Sequence, residues 1–554
     1  MKLRNFANKL LLVILMMVIG WGQVNGGAVL APLMTMAEDP GATTKTYYFN
    51  QYNNNTPTGQ SLYESLGITV YNDYLAAVQE TKALRDVVIA VVDSGLNPAH
   101  PVFQDRIVTE HAFDFSHGLS STTKQDGLWD DWNQDHNGHG THVAGIIADM
   151  TLPNVKILPI KIFNNWDNQG SSYAFDNAVR YLCALKTGEE MMLVNEFGEE
   201  QYRCNTEHNQ LNIVAVNLSL GTEGYSIYDD NDLAEFNKDK YGYTQDNVTY
   251  SGYQDVIDRL LRKNILPIVA AGNYGSTEKS NGIYYSLPGA CDGVLAVSAY
   301  DNTQVKYERA EFSFYNNFIG IAAPGKEIWS ACSGDIAALF DGAVQGNSAG
   351  QFKTIKRNQT DKYGLYDEYA YNYQRGLVMK QVNWVVRQDN EGNYYLRNNG
   401  TSMATPFVSA CYAMLMSDTS KESEADFGLP AWDGAEGGVD EHFINVAHKA
   451  MLAAAATNGD QSVEGYDEYF GYGTVNVACF AQAEMTPLKV IKYEITPSRT
   501  SKLDPKDPIT YQETDWFEVI CILFVGGILV WGFGYFKSYF TRGKTHDSNE
   551  SQQS

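Results

Sequence analysis

Asn399-Gly400-Thr401-Ser402-Met403-Ala404-Thr405-Pro406 sets a serine after a glycine turn, directly ahead of the apolar run Phe407 to Met416, which reads as a buried helix. A serine hydroxyl is a weak nucleophile at its free pKa, so chemistry at Ser402 needs a base and a group that orients the base. Both stand upstream. His139 lies in Gly138-His139-Gly140-Thr141-His142-Val143-Ala144-Gly145, and Asp93 ends the apolar run Val87-Val88-Ile89-Ala90-Val91-Val92 before Ser94-Gly95. An Asp-Ser-Gly after a strand is usually just a turn, but three such stretches in one chain point to a shared site.

Working outward, apolar strands alternate with helical segments. Val87 to Asp93, Val155 to Phe163, Ile213 to Leu220, Leu266 to Ala271 and Val294 to Ala299 read as strands; Thr141 to Met150, Ser172 to Lys186 and Tyr253 to Lys263 read as helices. The alternation predicts an α/β fold, a doubly wound and mostly parallel sheet with helices on both faces. Ligands of such sheets bind at the strands' carboxyl ends, where Asp93 and Asn273 fall.

The three motifs resemble those of the subtilase family of serine proteases, and the resemblance covers roughly Gln60 to Gln482. The order Asp, His, Ser is the order of subtilisin. The resemblance implies that Ser402 attacks a peptide carbonyl, His139 carries its proton, and Asp93 orients the imidazole. It implies that Asn273, closing Ile268-Val269-Ala270-Ala271-Gly272, stabilises the oxyanion together with the Ser402 N–H. It further implies that Asn217-Leu218-Ser219-Leu220-Gly221 pairs with an extended peptide, with Ser219, Leu220 and Gly221 nearest the substrate, and that Ala271 and Gly272 wall the specificity pocket. Phe443 to Gln482, with Phe470-Gly471-Tyr472-Gly473, is similar to the closing part of the family's domain. No cofactor is required. Calcium is common in the family, but Val102 stands where an Asp ligand is expected, and Ile146 to Val155 runs almost directly into the next strand, so the usual site looks absent. Asp126, Asp130, Asp131 and Asp135 are the remaining acidic group that could bind a cation, with a solvated turn as the simpler reading.

The chain has 554 residues, is 44% hydrophobic, and carries 66 acidic against 40 basic residues for a net charge of −26. Such a negative field argues against nucleic acid as a partner. Residues 1–26 read as a signal peptide, with Lys2, Arg4 and Lys9 before the apolar run Leu10 to Gly20. Residues 27–59 form a polar extension, shorter than the family's usual pro-domain. The peptidase domain occupies 60–482, with insertions at 222–251 (acidic) and 334–397 (Tyr-rich). A stalk at 483–515 leads to a predicted transmembrane helix at 516–536, long enough for a bilayer core, and a tail at 537–554 whose Lys537, Arg542 and Lys544 place it in the cytoplasm. The expectation is a single-pass cell-membrane protein with its body extracytoplasmic.

Seven cysteines suit an oxidising compartment. Cys183 with Cys204, flanking the charged segment Lys186 to Tyr202, and Cys291 with Cys332 are the candidate disulfides, although sequence does not fix connectivity. No Cys/His cluster has metal spacing. The leading expectation is a membrane-anchored serine endopeptidase that processes exported or surface proteins. Its order of signal, protease, stalk, span and basic tail resembles mycosins in architecture. The alternative is an assembly or scaffold protein of an export system that retains the protease fold. A lipase-type Gly-x-Ser-x-Gly elbow is missing around Ser402.

Overall fold

Strand β1, Val87–Asp93, is buried along its whole length. Successive side chains of a strand point to opposite faces, and here Val87, Ile89 and Val91 enter one hydrophobic cluster while Val88, Ala90 and Val92 enter another. That double burial explains the near-continuous apolar run, as expected for a parallel strand covered on both sides. The computed structural model describes residues 45–116, 128–163, 170–274, 282–333, 385–419 and 466–477, with short breaks inside these spans, and two strands between 345 and 355.

Along the chain, helices α1 (Leu62–Ser65) and α2 (Ile68–Gln79) precede β1. Then follow β2 (Phe113–Asp114), α3 (His139–Met150), β3 (Val155–Lys161), α4 (Ser172–Thr187), the hairpin β4 (Met191–Val194) and β5 (Glu200–Cys204), and β6 (Ile213–Leu218). Helix α5 (Asp230–Tyr241) and the hairpin β7 (Gly242–Gln245) and β8 (Val248–Ser251) fill most of the acidic insertion. Next come α6 (Tyr253–Arg262), β9 (Leu266–Ala270), β10 (Leu295–Asp301), β11 (Glu308–Arg309), β12 (Ile319–Pro324) and β13 (Ile328–Ala331). Strands β14 (Gln345–Gly346), β15 (Phe352–Ile355), β16 (Val385–Asp389) and β17 (Tyr394–Asn398) lead to α7 (Thr401–Ser417).

The main sheet runs β11-β10-β9-β6-β1-β3-β2, with β12 also on β10, and all its pairs are parallel except β10 with β11. The chain leaves β1 to one side for β3 and returns past it to β6, so β1 and β6 flank a topological switch point. Helices α3 and α7 cover the Ile89 face, and α4 and α6 the Ala90 face. The predicted doubly wound sheet is therefore the one found, with the limits of its strands and crossover helices moved by at most two residues, while the helix read from Phe407 starts six residues earlier, at Thr401. Helix α2 goes beyond the predicted elements; it packs Tyr71 and Leu75 on the Ile89 side.

A second sheet, β13-β17-β16-β15-β14, is antiparallel and takes up the described part of the second insertion. Compactness divides the chain into a large unit, 1–227 with 231–495, and a small one, 228–230 with 496–554, of which only 228–230 are described.

Both expected disulfides fail. Cys183 and Cys291 are buried free thiols, so neither bridges its proposed partner. Cys183 lies inside α4, with its Sγ toward the Arg259 carbonyl at 3.4 Å, while β5, which ends at Cys204, pairs with β4. The charged segment between these cysteines is thus partly a hairpin held by its own backbone ladder. Cys332 is buried next to Ser333, whose carbonyl its thiol reaches. The signal peptide, the stalk, the 516–536 span and the tail lie outside the described residues; among the described residues no helix is long and apolar enough to cross a membrane.

Candidate active site

Asp93 and His139 are brought together at the carboxyl end of β1. The carboxylate is 1% exposed and takes His139 Nδ1 at 2.8 Å on Oδ1 and 3.0 Å on Oδ2, while Ser94 N–H donates to Oδ1 at 2.7 Å. The contact depends on close approach. A Cβ on Gly140 would sit 2.1 Å from the Gly95 carbonyl and 3.2 Å from Asp93 Cβ, so a side chain there would lift α3 off β1. Burial alone would lower the imidazole pKa, but the charge and hydrogen bond of Asp93, helped by Asp135, leave it raised.

The sequence reads Asp135 as part of a solvated acidic turn, or less simply of a cation site, and the structure corrects this. Asp135 is fully buried and accepts from Gly138 N (2.8 Å), Thr141 N (2.8 Å), Thr141 Oγ1 (2.5 Å) and Ser94 Oγ (2.9 Å). It serves the open N–H groups at the start of α3, where a carboxylate also meets the positive end of the helix dipole. Ser94 Oγ in turn accepts from Gly140 N at 2.9 Å. Asp135 and Ser94 are site residues that the motif reading missed. The signal was there in an acid four residues before a helical histidine.

Ser402 opens α7, whose N-cap Gly400 has φ +152°. Its Oγ donates to the Ser219 carbonyl at 3.1 Å, and Ser219 Oγ donates back to the Ser402 carbonyl at 2.8 Å. The second bond has a cause in sequence. Pro406 has no N–H to give the carbonyl four residues earlier, so the Ser402 oxygen is left for Ser219. Asn217 Nδ2 holds Ser219 Oγ at 2.9 Å, and Ser409 Oγ holds Asn217 Oδ1 at 2.8 Å, which ties the end of β6 to α7.

Asn273 follows β9. Its Oδ1 accepts from Thr401 N (2.9 Å) and Thr401 Oγ1 (3.1 Å). With the amide oxygen so engaged, its planar partner Nδ2 faces the other way, able to donate. The expected substrate residues sit around this point. Ser219 is buried, Leu220 is half-buried, Gly221 is exposed, and Ala271 is held by its N–H to Val297 O at 2.9 Å. Gly272, at φ +105°, presses on Phe314: a Cβ there would meet its ring at 2.4 Å. Phe314, stacked on Tyr284 with ring centroids 5.4 Å apart, is a neighbour of the site that no motif revealed.

The ends of β1, β6 and β9, three adjacent parallel strands, thus carry Asp93, Ser219 and Asn273, and two helix N-termini bring His139 and Ser402 to the same edge. Ser402 Oγ itself is turned to Ser219 in this structure, the loose arrangement often seen without substrate. The thermophilic serine proteinase of Bacillus sp. (strain AK1) is 26% identical over 282 residues, 49% of this chain and 51% of its own length. This chain thus spans about half the length of that relative. Thermitase of Thermoactinomyces vulgaris is 25% identical over 298 residues, 50% of this chain and 81% of its own length. Among solved structures, sphericase aligns at 18% identity and TM-score 0.41 over 72% of this chain and 97% of its own. The S41 psychrophilic protease does so at 20% and 0.40, over 71% and 92%. Residues 85–473, from just before β1 to the described C-terminal turn, match the subtilase family model: the chain belongs to the subtilase family.

Proposed function

We propose that this chain is a serine endopeptidase in which Ser402 attacks the peptide carbonyl, His139 takes and returns the proton, and Asp93 fixes the imidazole's tautomer. The observation that carries this reading is the buried Asp93 carboxylate bonded to His139 Nδ1 at 2.8 Å, which leaves Nε2 for the nucleophile. The Asn273 Nδ2 group and the Ser402 N–H, at the start of α7, are the oxyanion donors. Gly221 and Gly272 line the approach of an extended peptide.

The cellular setting rests on the sequence alone. A signal at 1–26 and a span at 516–536 support a body displayed outside the membrane, acting on exported or surface proteins. The test is a fluorophosphonate probe on the full chain. Labelling that disappears in Ser402→Ala supports the assignment; a folded protein that stays unlabelled would sink it.

A further inference from the structure

The far end of α3, one helix length from His139, is where the fold family would lead one to expect calcium. The residues present do not fit that ion. Calcium takes six to eight oxygen ligands, carboxylates among them, and here the oxygens already have donors. Arg106, 5% exposed, gives Nη1 to Ala148 O (2.7 Å) and Thr151 O (3.2 Å), Nη2 to Thr151 Oγ1 (2.6 Å) and Nε to Val155 O (3.0 Å). Lys45 Nζ donates to Thr151 O at 2.7 Å, and Asn72 Nδ2 to Met150 O at 2.7 Å. Among the described residues no group of three or more His, Cys, Asp or Glu side chains is placed to hold a metal.

The carboxylate on the last turn of α3 is equally occupied. Asp149, 1% exposed, accepts from Tyr48 N (2.7 Å) and Phe49 N (3.0 Å) and from Tyr63 Oη (2.9 Å). A carboxylate at a helix C-terminus faces the negative end of the dipole, so it needs cations close by. Lys45 and Arg106 are those cations. Burial pulls the Lys45 ammonium down to about 8 against the attraction of Asp149, and it pulls Arg106 down to about 10, so both stay protonated near neutrality.

The arm that supplies Lys45, Tyr48 and Phe49 continues to the second sheet. Asn53 and the Trp329 backbone exchange two hydrogen bonds, Trp329 N to Oδ1 at 2.8 Å and Nδ2 to Trp329 O at 3.1 Å. Tyr52 packs on Tyr395 of β17 with centroids 5.0 Å apart. Strand β17 runs directly into Asn399, Gly400 and Ser402. The arm therefore touches both the helix that carries the base and the strand that delivers the nucleophile.

We infer that the chain's own cations, Lys45 and Arg106, together with the arm around Tyr48 to Asn53, hold the end of the His139 helix in place of a calcium ion. The arm from Lys45 onward is then a permanent part of the folded protein rather than a removable leader, and a processing cut compatible with this fold falls before Lys45.

Amide hydrogen exchange on the full chain, in a Ser402→Ala background to prevent self-digestion, tests this at residues 147–152. Exchange there is expected to be the same with excess EDTA as with excess calcium, and about tenfold or more faster in Lys45→Met, the loss expected for one charge-assisted hydrogen bond. Arg106→Met should speed it further. If that variant fails to fold, Lys45→Met decides, because Lys45 lies at the edge of the core. Faster exchange in EDTA that calcium reverses would overturn the inference. So would a Lys45→Met protein whose exchange at these residues is unchanged.

Discussion

The two ends of α3 are both anchored by a buried carboxylate, yet they are built in different ways. At the His139 end, Asp135 reaches Gly138 and Thr141, three and six residues along the chain. At the other end, Asp149 takes Tyr48, Phe49 and Tyr63, 86 to 101 residues away, and Arg106 and Lys45 reach Thr151 across 45 and 106 residues. The first end joins this local motif to the single strand end that carries Asp93 and Ser94, and it sets chemistry. The second is a tertiary assembly that sets stability. One helix thus separates the two tasks, and changes at its ends should have separable effects.

The largest effect belongs to the first end. Asp93→Asn should lower kcat about 10⁴-fold with little change in melting temperature; a variant that loses activity by unfolding would break the separation. Asn273→Ala should cost ~10²–10³ in kcat at nearly constant KM, a magnitude carried over from subtilisin rather than obtained from this chain.

At the second end, Arg106→Met should cost about 3 kcal/mol of stability, because it strands several carbonyls beside a buried carboxylate, while the folded protein keeps its kcat. Urea unfolding paired with kinetics checks both halves. Acid should also act through buried groups rather than the site. Burial pushes His100 down to about 4 and His142 down to about 3, from an ordinary 6.5. Both are neutral in the fold and take protons first when unfolded. Their stability contribution is complete above the unfolded pKa and is lost as pH falls from about 6.5 toward 4, on the order of 3 kcal/mol each. A urea midpoint that stays level over that window would contradict this. Activity should also rise with pH, but through a different group. His139 is raised above its ordinary value, so the rate should climb with pH through a value higher than 6.5, and Asp93→Asn should move that limb down. The smallest effect is expected at the clasp on α7: Ser219→Ala removes one hydrogen bond to the Ser402 carbonyl, worth about 1 kcal/mol, and should slow turnover severalfold.

How much of this was legible in the sequence follows the same division. Val87 to Asp93, the start of α3 and the Ser402 turn are read from local pattern because neighbours along the chain are neighbours in space. Asp135 was visible but misassigned, since a lone acid before a helix looks the same whether it faces solvent or the helix N–H groups. The disulfide pairs were misjudged because spacing says nothing of the buried helix in which Cys183 sits. Arg106, Lys45 and Phe314 carried no signal, as their roles exist only once distant segments meet. The second sheet was read only as an insertion, since short antiparallel strands lack the long apolar runs of the first.

That second sheet begins and ends in one place. Strand β13 leaves and β17 returns as direct neighbours, with Ile328 opposite Asn398 and Ala331 opposite Tyr395. Whatever length of chain is inserted between them, the return point beside Ser402 is fixed by this pairing. Natural variation, or an engineer, can therefore lengthen, shorten or exchange the excursion without re-aiming the nucleophile. The fold offers a docking port for new recognition loops one strand away from its chemistry.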